Sequence, residues 1–234
     1  MVKISERLRT AAGLIGEGER LADVGTDHGY VPIYLVERKR IPSAIAMDIR
    51  TGPLERAREH IRMYGMEDYI QTRLSDGVAA LKPGEADTIL IAGMGGGLVI
   101  HILESGRVIC EQAHGLVLQP QSELPKVRRF LMENGYVTER EEMVMEDGKY
   151  YPMMRVHFDA SAVSHADSFT EEQELEFRYG KQLLTEKHPV LLAYLRWEVQ
   201  IQQDILTQLS GQPATEQIAA RIDDVKQILA QNAR

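Results

Sequence analysis

Leu21-Ala22-Asp23-Val24-Gly25-Thr26-Asp27-His28-Gly29-Tyr30 begins as an apolar run, turns at a glycine and continues in helical spacing, with Val31, Leu35 and Val36 on one side. A buried strand, a glycine turn and a helix start together form a nucleotide-ligand site. Glycine lets a ligand approach the backbone, and the helix N-terminus offers unpaired N–H groups and the positive end of the dipole. The spacing is D-x-G-x-D-x-G rather than the G-x-G-x-x-G of dinucleotide-binding turns, which argues against a nicotinamide oxidoreductase. Two carboxylates, Asp23 and Asp27, flank the turn. They repel a pyrophosphate and suit a cationic ligand, such as a sulfonium that carries an amino group.

Outward from this turn the chain alternates between strand and helix patterns. Residues 3–15 have the spacing of a short amphipathic helix, with Ile4, Leu8, Ala11, Ala12 and Ile15 on its apolar side. A first strand spans about 20–24, and its helix runs to about Arg38. A second strand, 43–48, ends in Asp48; a helix then opens at Thr51 with Pro53 just inside and stops at Gly65. The third strand, 70–74, ends in Ser75-Asp76-Gly77. The fourth, 86–92, is nearly all apolar, as a strand buried on both faces requires. It runs into Gly93-Met94-Gly95-Gly96-Gly97 and a helix through Leu103. A fifth strand, 115–118, precedes Gln119-Pro120-Gln121 and a helix over 122–133. The alternation then breaks, and 136–145 and 150–158 read as two strands joined by the hairpin signal Glu146-Asp147-Gly148. The expected fold class is α/β: a Rossmann-like, doubly wound, mostly parallel sheet with an antiparallel terminal hairpin, over residues 1–158. Such sheets bind ligands at the carboxyl ends of their strands. Four strand ends here carry the unusual residues D-V-G-T-D-H-G, M-D, L-S-D-G and A-G-M-G-G.

Residues 159–170 are small and polar and read as a linker, with a second domain over 171–234. Leu192, Leu195, Val199, Gln202, Leu206 and Leu209 repeat at alternating steps of three and four; Ser210-Gly211-Gln212-Pro213 interrupts; Ile218, Ile222, Val225 and Leu229 resume. The pattern predicts a helical hairpin, an antiparallel coiled coil. From Asp159 onward there are 7 Lys and Arg against 12 Asp and Glu, a net −5. The hairpin is therefore not expected to grip phosphates over its whole surface. Bracing, dimerisation and contact with a folded RNA stay open, as do a monomer and a weak homodimer. The whole chain's net charge of −8 argues against broad nonspecific nucleic-acid binding but allows a local basic surface. The single Cys110 excludes an internal disulfide and fits a reducing cytoplasm. No Cys/His cluster has metal-ligand spacing, no apolar run is long enough to span a bilayer, and residues 1–7 lack a signal-peptide core.

The strand-end residues can be given chemistry. Asp48, followed by Ile49, can accept both ribose hydroxyls of a nucleoside; the bland alternative is a helix cap. Asp76 can accept the exocyclic amine of an adenine, with the Gly77 N–H to a ring nitrogen; a cap is again the alternative. Asp23 and the Gly25 backbone are partners for an amino-acid end, and His28 and Gly29 shape the helix start beside it. Together these specify an adenosyl ligand with a zwitterionic tail, S-adenosyl-L-methionine, and they need no metal.

The segments D-V-G-T-D-H-G-Y, A-M-D-I, L-S-D-G and A-G-M-G-G resemble the class I methyltransferase motifs of the bacterial tRNA (adenine(22)-N(1))-methyltransferase family, as do L-Q-P-Q, K-Y-Y-P and the helical C-terminus. The resemblance covers essentially the whole chain. It implies S-adenosylmethionine as donor and N1 of a tRNA adenine as acceptor. N1 carries a lone pair in the neutral base, so a loop without acid or base, Ala92-Gly93-Met94-Gly95, is compatible with the reaction. Asp27, Tyr30 and Met94 are the candidates at the reacting centre: Asp27 to favour the developing positive charge, Tyr30 as a platform for a flipped base, with Tyr150 and Tyr151 as further stacking candidates. Asp27 could instead cap the helix. Lys3, Arg7, Arg9, Lys126, Arg128 and Arg129 are candidate phosphate contacts. A small-molecule methyltransferase, or a noncatalytic donor-binding module that recruits a partner through its coiled coil, are the alternatives.

Overall fold

The computed structural model describes residues 1–164, 166, 168–208 and 214–232. It divides into two compact units, 1–180 and 181–234.

In the first unit, five strands run parallel: β1 (Leu21–Val24), β2 (Ala44–Asp48), β3 (Ile70–Leu74), β4 (Thr88–Met94) and β5 (Gly115–Pro120). The hairpin β6 (Tyr136–Glu146) and β7 (Lys149–Phe158) closes the sheet in the order β3-β2-β1-β4-β5-β7-β6. β7 pairs antiparallel with β5, and β6 forms the edge. The two-residue hairpin loop has positive φ at both Asp147 and Gly148, as a primed turn requires. The reversal of strand order lies between β1 and β4, and β1 is buried at all four residues, as expected for a central parallel strand.

One sheet face is covered by α1 (Glu6–Gly13), α2 (Tyr30–Glu37) and α3 (Thr51–Met63), and its core includes Ile15, Ile33, Leu35, Leu90 and Val117. The other is covered by α4 (Gly96–Ser105), α5 (Arg107–Gln112) and α6 (Leu124–Glu133), around Ile89, Ile91, Leu103, Leu116 and Leu118. Strand β4 ends two residues later than its apolar run suggests. Gly93, at φ 79°, makes a bulge against β5 that lets Met94 pair with Pro120. The short α5 was not anticipated.

The boundary between the two units also differs from the sequence-based expectation. The described residues of 159–170 fall within the first unit. The Asp159 N–H donates to Gly135 O (2.8 Å) and the Ser164 N–H to Met132 O (3.3 Å), and helix α7 (Glu171–Tyr179) packs on α6. Arg128 supplies the anchor: its Nε donates to Glu141 Oε1 (3.0 Å) and its Nη1 to Phe177 O (3.0 Å). Small polar composition thus marks a hydrogen-bonded surface segment rather than a break. The second unit holds α8 (Lys181–Thr185), α9 (Pro189–Gln208) and α10 (Ala214–Asn232). Helices α9 and α10 pack on one another, and Leu191, Leu195, Ile222, Val225 and Ile228 are buried. The expected breaker 210–213, and Leu209, lie outside the described residues. Among the described residues no helix is long and apolar enough to cross a membrane.

Replacing one partner of a buried ion pair strands the other charge. Arg128→Ala is expected to lower the unfolding free energy by roughly 3–5 kcal/mol. Arg129→Ala, whose ion pair with Glu174 is about two-fifths exposed on each side, should cost under about 1 kcal/mol. Denaturant melts of the two variants would check the contrast; equal effects would contradict it.

Candidate active site

The turn after β1 is fixed by Thr26. Its N–H donates to Met47 O on β2 (2.7 Å), and its hydroxyl donates to Asp23 Oδ2 (2.7 Å). Asp23 and Thr26 are both buried. Burial pushes the Asp23 carboxyl up to about 6; the Thr26 hydroxyl opposes this shift and the nearby Asp48 charge adds to it. Gly25 has φ 74°, and a Cβ there would overlap Cε of Met94, whose side chain covers the turn. The positive φ favours glycine, and for any larger residue the Met94 methyl, the end of a flexible side chain, would have to shift. His28 and Gly29 follow at φ 67° and 66°, so two consecutive left-handed residues turn the chain into α2. Gly29, not Asp27, is the N-cap.

Beside this turn lies a cavity of about 320 Å³, lined by Asp23, Gly25, Thr26, Asp27, His28 and Tyr30, by Leu90, Ala92 and Gly93 at the end of β4, and by Arg7 and Gln121. The rings of His28, Tyr30 and His60 form one cluster, with centroids 5.0–5.2 Å apart and planes within 20° of parallel. Asp27 is exposed and receives Arg56 Nη2 (2.8 Å) and Nε (3.3 Å) on Oδ1. His28 Nε2 is 3.5 Å from the same oxygen, while His28 Nδ1 is buried without a partner among the described residues.

The β4–β5 wall is polar and internally fixed. Gln119 is fully buried, and its Oε1 accepts from both the Gly93 N–H (3.1 Å) and Arg7 Nη1 (2.8 Å). Two donors on one atom define the carboxamide's orientation. They leave Nε2 buried and unpartnered among the described residues. Arg7 also sits over the Tyr151 ring, 5.4 Å from its centroid. Outside the cavity, buried Asp48 ends β2, and its Oδ1 accepts the Arg50 N–H (2.8 Å) ahead of α3. Ile49 beside it is exposed. Asp76 is exposed at the end of β3. Gly77, at φ 52°, faces Ile102 of α4. The α4 N-terminus is already occupied: Gly96 N–H donates to Ser122 Oγ (3.2 Å) and Gly97 N–H to Glu123 Oε2 (2.9 Å).

Residues 4–154 match the family model described as a methyltransferase domain. The tRNA (adenine(22)-N(1))-methyltransferase of Bacillus subtilis (strain 168) is 34% identical over 97% of this chain and 98% of its own. The chain belongs to the tRNA (adenine(22)-N(1))-methyltransferase family. Among solved structures, Streptococcus pneumoniae Sp1610 in complex with S-adenosyl-L-methionine superposes with a TM-score of 0.83 at 32% identity, covering 97% of this chain and 100% of that one. M. capricolum TrmK in complex with S-adenosyl-homocysteine gives 0.80 at 26% identity, over 97% and 98%.

Against this family frame, the turn residues Asp23, Gly25, Asp27, His28 and Tyr30 converge with Ala92 and Gly93. Asp48, Ile49, Asp76, Gly77 and Gly95 lie at neighbouring strand ends outside the cavity, and Met94 stands between as the cover of Gly25. Some residues expected to contact phosphate are used otherwise. Arg128 is buried in its ion pair with Glu141, and an arginine so enclosed cannot reach an RNA backbone. Arg7 points into the cavity wall. Arg129 is tied to Glu174 and lies over the Phe169 ring. Tyr151 is half-buried against the α1–α3 core. Lys3 is exposed, while the exposed Arg9 and Lys126 pair with Glu6 and Glu123. Sequence reading missed Thr26, Arg56, His60, Gln119 and Gln121. Only Gln119 and Gln121 carried a local signal, two amides flanking a proline directly after a strand.

A folded-state carboxyl raised above its unfolded value holds protons more tightly than the unfolded chain. It therefore costs stability as pH rises from about 4 to about 6, and the cost is constant above that. Asp23→Asn keeps an oxygen for the Thr26 hydroxyl and removes the charge. It is expected to raise stability by roughly 2–3 kcal/mol at pH 7.5 and by much less near pH 4.5. Denaturant melts at the two pH values check the sign; a variant equally or less stable at pH 7.5 would contradict the assignment.

Proposed function

We propose that this protein transfers the methyl group of S-adenosyl-L-methionine to N1 of adenine 22 in tRNA. Near-full-length likeness to the B. subtilis enzyme carries the reading, and the residues fit the chemistry. The donor, when bound, supplies an electrophilic methyl group on a sulfonium. Asp23, buried beside the Gly25 backbone, fits the ammonium end. Asp48 gives one oxygen to the Arg50 N–H and keeps the other for the ribose. Ile49, Asp76 and Gly77 continue that surface toward the adenine, and Ala92, Gly93, Met94 and Gly95 border the methyl side.

The acceptor N1 needs no base to release its lone pair, so the chain's task is alignment, which can supply roughly 7–11 kcal/mol of barrier lowering. N1 lies on the pairing edge, and the base must be unpaired or flipped. The near-parallel His28, Tyr30 and His60 rings offer it a flat face, worth about 1–3 kcal/mol in base stacking. The Asp27 carboxylate beside His28 Nε2 favours the Nε2–H tautomer. Asp27 itself faces the positive charge that develops on the base. In this reading α9 and α10 are an antiparallel coiled coil appended to the catalytic unit, and Lys3, Arg9 and Lys126 are exposed cations available to tRNA phosphates. A tRNA substrate implies the cytoplasm.

Incubation with labelled S-adenosylmethionine and tRNA lacking the modification should give 1-methyladenosine on nucleoside digestion, and none with a tRNA carrying guanine at position 22. Donor binding with no label in RNA would overturn the reading and favour a small-molecule enzyme or a binding module. Asp48→Ala should raise the donor Kd about ten- to a hundredfold, the loss of roughly 1.5–3 kcal/mol from charged hydrogen bonds. A titration with unchanged affinity would remove the ribose role. Asp27→Ala should leave the donor Kd within about twofold and cut turnover at least about tenfold.

A further inference from the structure

Helix α3 braces the Asp27-His28-Gly29 turn from outside, through Arg56 and His60 on its polar side and Ala57 at its buried edge. Arg56 forks onto Asp27, with Nη2 at 2.8 Å and Nε at 3.3 Å from Oδ1. One helical turn later, His60 meets His28 twice: the rings stack at 5.0 Å, and His60 Nδ1 lies 3.2 Å from His28 O. A carbonyl only accepts, so His60 Nδ1 carries the proton. Between them Ala57, fully buried, lies where a Cβ on Gly29 would be 3.5 Å from its own Cβ. His60 is a helix-surface neighbour of both Arg56, four residues before it, and Ala57, three before it.

The turn needs such support. His28 has a φ of 67°, a conformation that costs a non-glycine residue energy and persists where its surroundings hold it. Neither Arg56 nor His60 is required to hold α3 on the sheet, which Leu54, Ala57 and Ile61 do from the buried side. Both lie instead against residues that line the cavity.

We infer that Arg56 and His60 are positioning residues of the methyl-acceptor side: Arg56 sets the Asp27 carboxylate, and His60 sets the His28 backbone and ring plane. The inference rests on the acceptor-side reading of Asp27 and His28. Arg56 acts through Asp27, so its removal has nothing to act on once Asp27 is gone. A phosphate-binding arginine would behave otherwise, with an effect independent of Asp27, a raised KM for tRNA and a reduced salt dependence.

The test is a double-mutant cycle on the single-turnover methylation rate, with donor Kd, tRNA KM and melting temperature measured for each variant. Arg56→Ala is expected to slow methyl transfer about five- to twentyfold, with donor Kd and tRNA KM within about twofold. Arg56→Lys should recover part of the rate, and Asp27→Ala/Arg56→Ala should be no slower than Asp27→Ala. His60→Asn, which keeps an N–H for the carbonyl, should retain more activity than His60→Ala. Multiplying effects in the double variant, or an unaffected rate in Arg56→Ala while Asp27→Ala is slow, would overturn the brace and leave the acceptor-side reading standing. If Asp27→Ala is itself as fast as the wild type, the reading fails, and the brace falls with it.

Discussion

The hydrogen bond from the Thr26 hydroxyl to the Asp23 carboxylate, buried at the end of the central strand, is the constraint on which the site depends. A carboxylate at that depth is costly to ionise, and burial raises its pKa accordingly. The hydroxyl lowers it only in part. Thr26 also binds its backbone N–H to Met47 on the neighbouring strand, so one residue ties the acid, the glycine turn and β2 together. With that corner fixed, Gly25 is free to take positive φ under Met94, and the chain can leave the sheet edge toward α2. Once ionised, such a buried acid costs stability, and an ammonium group beside it would replace the lost hydration of the charged form.

The site has a rigid wall on each side, made by different means. On the β4–β5 side a fully buried amide collects two donors onto one oxygen and thereby locks both Arg7 and the Gly93 backbone. On the α2–α3 side three rings and an ion pair close on a strained turn. The acids and the imidazole of these walls are tied into the turn itself, Asp23 to Thr26 and Asp27 to Arg56. That matches a nucleophile whose lone pair is already available, for which geometry rather than proton transfer limits the rate.

Much of this architecture was legible in the sequence because it rests on local signals. Apolar strand cores, glycines after strands and Pro53 inside a helix start reflect backbone conformation and burial at the residue itself. The carboxylates at the strand ends stood out because acids are rare beside apolar strands. What escaped depends on partners far along the chain. Arg128 looked like any basic residue on an amphipathic helix, yet Glu141 and the carbonyls of α7 make it a buried anchor. Arg7 looked like a solvated arm residue, yet Gln119, more than a hundred positions away, draws it into the cavity. Arg56 and His60 lie on the polar side of α3, where nothing in the helical period separates a side chain facing solvent from one facing a neighbouring loop. Residues 159–170 misled for the converse reason: their composition reports solvent exposure, which a segment bonded to its own unit shares with a linker.

Two buried polar atoms, Gln119 Nε2 and His28 Nδ1, have no partner among the described residues; His28 lines the cavity, and Gln119 lies behind its wall, bonded to Gly93 and Arg7. An unsatisfied buried group costs about 1–3 kcal/mol, which a protein selected only for stability would remove by substitution. One is an amide donor whose orientation is set by the two N–H groups on its oxygen; the other is an imidazole lone pair whose tautomer is set by Asp27. Both costs fall on residues that fix the cavity's walls: Gln119 holds Arg7 and the Gly93 backbone, and His28 holds the left-handed turn into α2.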